Sequence, residues 1–199
     1  MKKFLLGLMS LLSFVVSAQA AAATYTVDAR LNTTTVSSPN GVSVAPFTVG
    51  DVFTISVNPL DLWKTRGTRG WSNANGLTGA DLLSTGAADI NGDNPNVRAG
   101  RVIGRDIADL TLGGLTAPFG SLVGEWSNNV GQYFLIGTDY SGVALASGLK
   151  LYAFDNNRSG NSGSILVNLE ISAVPEPETY LMMLAGLGLV GFAARRRQA

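Results

Sequence analysis

One loop in the C-terminal half concentrates residue types that bind hard cations. Residues 155–164 comprise one carboxylate, one arginine, three carboxamides, three hydroxyls and two glycines. Ca²⁺ takes roughly six to eight oxygen ligands at flexible spacing, and Asp155, Asn157 and Asn161 are the candidate metal ligands. Asp155 and Asn161 are also candidate ligand-binding residues. The same residue types are common in ordinary turns, so composition alone favours a plain turn.

Aromatic side chains elsewhere offer surfaces on which a sugar ring can stack. Trp63 and Trp71 flank the polar loop 64–69 and are the candidate residues of a binding rim. The alternative for both is packing in the core, because tryptophan carries a large apolar surface. Trp126 follows a predicted strand, residues 121–125, and is expected in the core.

Two further acidic patterns suggest other chemistry less strongly. The segment Asp89-Ile-Asn91-Gly-Asp93 resembles the start of an EF-hand loop, but Asn94 and Gly100 stand where that loop has Gly and Glu. A solvated turn is the favoured interpretation. The segment 106–109 begins and ends with aspartate, yet no aromatic cleft or second catalytic group is predicted beside it, so glycosidase chemistry is disfavoured.

The composition excludes several kinds of site. The 199 residues include neither cysteine nor histidine, which excludes disulfides, thiol catalysis, histidine-based zinc sites and Ser-His triads. The formal net charge is zero, and no basic stripe is evident, so nucleic acid is not expected as a partner. We predict a protein that is not an enzyme.

Period-two patterns predict that antiparallel strands position the candidate loop. Apolar residues alternate with polar ones from Ile165 to Ile171, and similar patterns or short apolar runs occupy 25–31, 49–57, 132–137 and 149–154. Two sheets packed face to face would bury both apolar faces. The predicted fold class is therefore all-β, an antiparallel β-sandwich of jelly-roll type. The stretch 65–116 is loop-like, and its best helix signal covers Thr78 to Leu83.

The two ends of the chain predict targeting segments. Basic residues, an apolar run and a small-residue cleavage site near Ala20 are typical of a secretory signal peptide, here residues 1–22, with an N-terminal signal helix. At the other end, residues 180–194 are uncharged and precede Arg195, Arg196 and Arg197, which predicts a short transmembrane helix with cytoplasmic arginines. The predicted β-sandwich domain covers 23–173, and the sorting segment covers 174–199.

The C-terminal segment is similar to the PEP-CTERM sorting signal, also catalogued as an ice-binding-protein C-terminal motif. The similarity rests on a Pro-Glu-Pro joint, a short Gly-rich apolar segment and the terminal arginines: Val174, Pro175, Glu176, Pro177, Arg195, Arg196 and Arg197. It implies an exosortase as partner and a transient anchor in the inner membrane of a Gram-negative bacterium. The implied destination is the cell surface or the extracellular matrix. No ice-binding activity is implied.

The middle of the chain resembles the β-sandwich of PA-I-type galactophilic lectins. The resemblance rests on four segments, 120–124, 133–137, 148–155 and 160–165. It implies a Ca²⁺ ion that joins the last loop to sugar hydroxyls, with Asp155 and Asn161 as loop ligands. Gly160 replaces an asparagine of that family, and the sugar-contacting histidine is missing, so galactose specificity is not implied.

Together these features predict an exported, exosortase-sorted protein of the cell surface or matrix. Its β-sandwich is expected to be a non-enzymatic module that binds carbohydrate or exopolysaccharide, with Ca²⁺ as the cofactor. The alternative is a purely structural biofilm or envelope protein that binds no small ligand.

Overall fold

The computed structural model describes residues 21–35, 40–44, 46–172, 183–189 and 195–196. Residues 183–189 and 195–196 are helical, and the remaining regular structure in these ranges is β. The strands are β1 (Ala21–Asp28), β2 (Val42–Ser43), β3 (Val52–Val57), β4 (Trp63–Lys64), β5 (Trp71–Ser72), β6 (Leu82–Leu83), β7 (Val102–Gly104), β8 (Leu110–Leu112), β9 (Leu115–Ala117), β10 (Leu122–Trp126), β11 (Phe134–Leu135), β12 (Asp139–Val143), β13 (Leu149–Ala153) and β14 (Ser162–Ser172).

Two larger antiparallel sheets hold most of these strands. The first has the order β12-β3-β14-β4-β5, with β1 paired to β14 as well, and the second has the order β11-β10-β13-β2. Two hairpins, β6-β7 and β8-β9, form separate two-stranded sheets. The prediction of an antiparallel, mostly β fold is confirmed, whereas jelly-roll connectivity stays a prediction.

The inner faces of both large sheets contribute to one apolar core. In β14 and β3, alternate side chains are buried, which is the burial expected of strands with one face toward a core. These side chains cluster with residues of β10 and β13 such as Leu122, Trp126 and Leu151. The ring of Phe53 meets those of Phe47 and Trp126 edge-on, with centroids 5.1 and 5.7 Å apart.

Strand β14 is the central element of the first sheet. On one side it pairs with β1 over Ser164 to Ile171, so that Ala21 lies opposite Ile171. On the other side it pairs with β4 at residues 162–163 and with β3 over residues 167–172. Residues 164–166 therefore lack a strand partner on that second side.

The three predicted helices have different outcomes. Thr78 to Leu83 is not a helix, because Leu82 and Leu83 pair with β7; the prediction there is wrong. The predicted signal helix lies almost entirely outside the described residues. Of the predicted transmembrane helix 180–194, the described residues 183–189 are helical. In the described ranges, no helix is long and apolar enough to span a membrane.

Candidate functional site

Asp155 and Asn161 close the loop that follows β13. Both side chains are buried, and Asn161 Nδ2 donates to Asp155 Oδ2 at 2.7 Å. The same Nδ2 also donates to the carbonyl oxygen of Ala29 at 2.9 Å. The structure thus brings together two of the predicted site residues and ties their loop to the end of β1.

The environment of Asp155 is that of a buried, hydrogen-bonded carboxylate. Burial raises its pKa, and hydrogen bonds from the Asn157 backbone and the Asn161 side chain act in the opposite direction. Its backbone is also held, since Thr34 Oγ1 donates to the Asp155 carbonyl at 2.8 Å. These contacts fix the start of the loop rigidly against the 33–34 segment.

The orientation of the Asn161 amide decides what the pair offers to a ligand. Its two hydrogen-bond partners, Asp155 Oδ2 and Ala29 O, are acceptors, so the amide nitrogen must face them. The amide oxygen, Oδ1, is buried and has no hydrogen-bond partner in the described part of the chain. Asn161 therefore presents a donor, not an oxygen ligand, toward the Asp155 carboxylate.

Asn157, the third predicted metal ligand, lies in the same loop and hydrogen-bonds to its neighbours there. Its N–H donates to Asp155 Oδ1 at 2.7 Å, and its own Oδ1 accepts from the N–H of Ser159 at 2.9 Å. The three predicted ligands therefore lie close together without turning their oxygens to a common point. Within the described ranges, no three or more acidic, histidine or cysteine side chains are arranged to hold a metal ion.

A pocket of about 320 Å³ opens beside this loop. It combines an aromatic ring, a guanidinium group and several carboxamide and hydroxyl groups. Its lining residues are Thr65, Arg66, Phe119, Asp155, Asn156, Asn157 and Ser159. Sequence reasoning missed Arg66 and Phe119, because contact between the β4–β5 turn, residue 119 and the last loop depends on the tertiary fold.

The structure corrects the prediction of an aromatic binding rim. Trp63 is 0 % exposed and Trp71 is 8 % exposed, so neither ring offers a face for sugar stacking. Trp63 is held in the interior by its Nε1–H, which donates to the carbonyl of Gly120 at 2.9 Å. Trp126 packs in the core, as predicted.

Gly120 allows the β4 region to approach the pocket closely. Its φ is +79°, and a Cβ at this position would lie 2.2 Å from Thr65 Oγ1. Any side chain would therefore collide with the wall of the pocket. Thr65 Oγ1 is itself buried and has no hydrogen-bond partner among the described residues.

Of the predicted sorting residues, Arg195 and Arg196 are exposed and helical. Val174, Pro175, Glu176, Pro177 and Arg197 lie outside the described residues. Residues 173–197 match the family model of the PEP-CTERM protein-sorting motif. This motif implies processing by an exosortase, and proteins that carry it are exported and sorted to the cell surface.

The family match covers the C-terminal segment and does not extend into the β-rich domain. No curated protein matches the chain significantly, and no solved structure does. The resemblance of the middle domain to PA-I-type lectins therefore has no support beyond the sequence segments that suggested it.

Proposed function

We propose that this protein is an exported, exosortase-sorted surface or matrix protein whose β-rich domain binds carbohydrate without catalysis. The observation that carries the binding proposal is the 320 Å³ pocket beside the Asp155 loop. A hydroxyl-rich ligand needs several fixed polar partners and an apolar surface for its ring faces. This pocket has both, with Phe119 on one part of its wall and polar side chains on the rest.

Individual lining residues have complementary tasks in this proposal. Arg66 is exposed and supplies guanidinium donors for hydroxyl or carboxylate oxygens. Asn156, Asn157 and Ser159 supply carboxamide and hydroxyl groups, while the partly exposed Phe119 packs against the C–H face of a sugar ring. The Asp155–Asn161 pair keeps the loop in place, and Asp155 also lines the pocket.

Delivery to the surface is the second part of the proposal. Large apolar side chains are exposed on the described helical residues of the C-terminal segment. The exposed fractions of Met183, Leu184, Leu187 and Leu189 lie between 58 and 71 %. Lipid is the environment that such a helix would favour, and the arginines that follow would stay on the cytoplasmic side. The segment would therefore act as a transient inner-membrane anchor until the exosortase acts.

The calcium prediction at Asp155, Asn157 and Asn161 stays a prediction that the binding assay can test. The arrangement of the loop favours recognition by hydrogen bonds, since the Asn161 nitrogen faces Asp155. We therefore expect carbohydrate binding at this pocket to persist in EDTA. Binding that EDTA abolishes and that added Ca²⁺ restores would show instead that the loop holds the ion.

Glycan binding by the full-length chain in detergent tests the carbohydrate proposal. Arrays and exopolysaccharide fractions would be probed with the wild type and with the Arg66→Ala and Phe119→Ala variants. Each substitution is expected to weaken binding by about tenfold or more, since each removes a central contact. The exposed Arg30→Ala variant is the matched control and should bind like the wild type. A wild type that binds no glycan would favour the purely structural alternative.

Fractionation of an exosortase-producing host tests delivery. Replacement of Pro175, Glu176 and Pro177 by alanine should leave the protein in the inner membrane, because the motif that the exosortase recognises is gone. Pro46→Ala, a proline outside the motif, is the control and should reach the surface normally. Surface delivery of the triple variant at wild-type levels would contradict sorting by this motif.

A further inference from the structure

Side chains replace a missing strand beside β14. Over residues 164–166, between the ladders to β4 and β3, two aspartates accept backbone N–H groups of β14. Asp61 Oδ2 accepts from Leu166 at 2.6 Å, and Asp93 Oδ2 accepts from Ser164 at 2.7 Å. Asn91 Nδ2 donates to the carbonyl of Ser164. The gap in the sheet is thus filled by polar side chains from two loops.

The loop 89–93 is organised around the carboxylate of Asp89. Asp89 Oδ1 accepts from the N–H groups of Asn91 and Asp93 at 3.1 and 2.9 Å. Asp89 Oδ2 accepts from the N–H of Leu62 at 2.8 Å, which fastens this loop to the residue after Asp61. Asp61, Asp89, Asn91 and Asp93 together are called the Asp61 cluster below.

The structural role of the Asp61 cluster leaves one buried atom unexplained. Asp61 is 0 % exposed, and its Oδ1 has no hydrogen-bond partner among the described residues. A buried carboxylate oxygen without a partner is costly. A positively charged partner on that oxygen would remove the cost.

The charges around Asp61 also favour a bound cation. The carboxylates of Asp89 and Asp93 lie close enough to Asp61 to repel it electrostatically. Asp93 likewise lies near the carboxylates of Asp89 and Asp28. The ion pair observed in the described ranges joins Arg105 to Asp81, so no basic side chain there is seen to neutralise the cluster.

We propose that the Asp61 cluster binds a Ca²⁺ ion, with Asp61 Oδ1 as the buried ligand. Asp93 and Asn91 would supply further side-chain oxygen, Asn91 through the Oδ1 that also accepts the N–H of Asp93 at 3.2 Å, and backbone carbonyl oxygens would complete the ligand set that Ca²⁺ prefers. The Asp-x-Asn-x-Asp spacing of 89–93 is that of the first ligands in calcium loops. Because the ion draws on amide and backbone oxygens, it does not require three carboxylates around one point.

The role of this ion is to hold two loops against the central strand. Asp61 precedes β4, and the 89–93 loop belongs to the long connection before β7, so the cluster joins segments far apart in sequence. A cation shared by both would cancel their mutual repulsion and stabilise the gap in the sheet. The site is separate from the pocket, and it does not rest on carbohydrate binding.

Terbium luminescence on the full-length chain in detergent tests the site. Tb³⁺ replaces Ca²⁺ at oxygen sites, and its emission is excited by a nearby indole. A Cβ placed on Gly163 would lie 3.0 Å from Asp93 Oδ2 and 3.3 Å from Trp63 Cα, so Trp63 is close to the cluster. We expect sensitised Tb³⁺ emission that Ca²⁺ displaces and that Mg²⁺ displaces much less effectively.

Two variants test which residues bind the ion, and two others serve as controls. Asp61→Asn and Asp93→Asn each remove one ligand charge and should weaken Ca²⁺ competition by about tenfold or more. Asp155→Asn, which probes the pocket loop, should keep the wild-type Tb³⁺ emission, and the exposed Asp106→Asn should behave like the wild type. Calcium should also raise the Tm of the wild type and leave that of Asp61→Asn almost unchanged.

Several outcomes would overturn the proposal. The first is wild-type protein that gives no sensitised emission and no rise in Tm with Ca²⁺. The second is emission lost in Asp155→Asn but kept in Asp61→Asn and Asp93→Asn, which would place the ion in the pocket loop. The third is displacement of Tb³⁺ by Mg²⁺ as effectively as by Ca²⁺. If Asp61→Asn does not fold, Asp93→Asn still decides the question.

Discussion

At Gly120 the backbone comes so close to its neighbours that a single methyl group cannot be accommodated. Gly120→Ala should lower the free energy of unfolding by roughly 3 kcal/mol, about half from the positive φ and half from the overlap with Thr65 Oγ1. Urea unfolding measures the change. Gly50→Ala is the matched control, because Gly50 also has a positive φ but has open space at the Cβ position. Equal losses in both variants would show that the contact with Thr65 is unimportant.

Replacement of Asn161 should destabilise the loop that follows β13. Asn161→Ala deprives the buried Asp155 carboxylate and the Ala29 carbonyl of a donor, so we expect a loss of about 2–4 kcal/mol. Asn128→Ala removes an amide-to-carbonyl bond at an exposed position and should cost less than about 1 kcal/mol. Thermal or urea unfolding compares them. A loss in Asn161→Ala no larger than in Asn128→Ala would contradict the role of the pair.

At the residue scale, the sequence predicts proximity where chain connectivity decides it. Asp155 and Asn161 lie in one short loop, so their proximity follows from chain connectivity. The burial of Trp63 depends on the pairing of β4 with β14 and on a bond to Gly120, residues far away in sequence. Asp61 has two leucine neighbours in the chain, and nothing local indicates that it fills a gap beside β14.

At the scale of elements, the two faces of β14 should respond differently to the same substitution. Leu169 is 1 % exposed and packs in the core, whereas Leu166 is 37 % exposed on the outer face. Leu169→Ala should cost about 2–4 kcal/mol because it leaves a cavity, and Leu166→Ala should cost less than about 1 kcal/mol. Urea unfolding of both variants measures the difference. Similar costs would mean that β14 does not have one buried face.

Two of the strands that sequence reasoning predicted are long enough to display a clear period. β14 and β3 alternate over six or more residues, and their predicted positions are confirmed. Strands β4, β5 and β6 contain two residues each, too few for any alternation, and they exist only because a partner strand lies beside them. The predicted helix at 78–83 failed for the same reason, since pairing of β6 with β7 overrides a weak capping signal.

At the scale of the whole molecule, buried carboxylates should make stability depend on pH. In EDTA, Asp61 holds its proton more tightly in the folded than in the unfolded state, because its pKa rises from 3.8 to about 6. Stability is therefore expected to fall as pH rises through that interval, by about 3 kcal/mol from Asp61 alone. Asp93 and Asp155 shift in the same direction.

Urea unfolding of the wild type and Asp61→Asn across that pH interval isolates this contribution. The difference between the two proteins should change by about 3 kcal/mol, because the asparagine has no proton to lose. Asp106→Asn, at an exposed carboxylate, is the control and should follow the wild type. A wild-type profile parallel to that of Asp61→Asn would show that Asp61 has an ordinary pKa.

The pairing of β14 on both sides has a mechanical consequence. The C-terminal tail continues from β14, so tension on a tethered tail is applied along this strand. The hydrogen bonds that join β14 to β1 and β3 lie perpendicular to that pull. Many of them must therefore break together and not one by one. If the tail tethers the protein at the cell surface, force on the protein would act on β14, a strand that is paired on both sides.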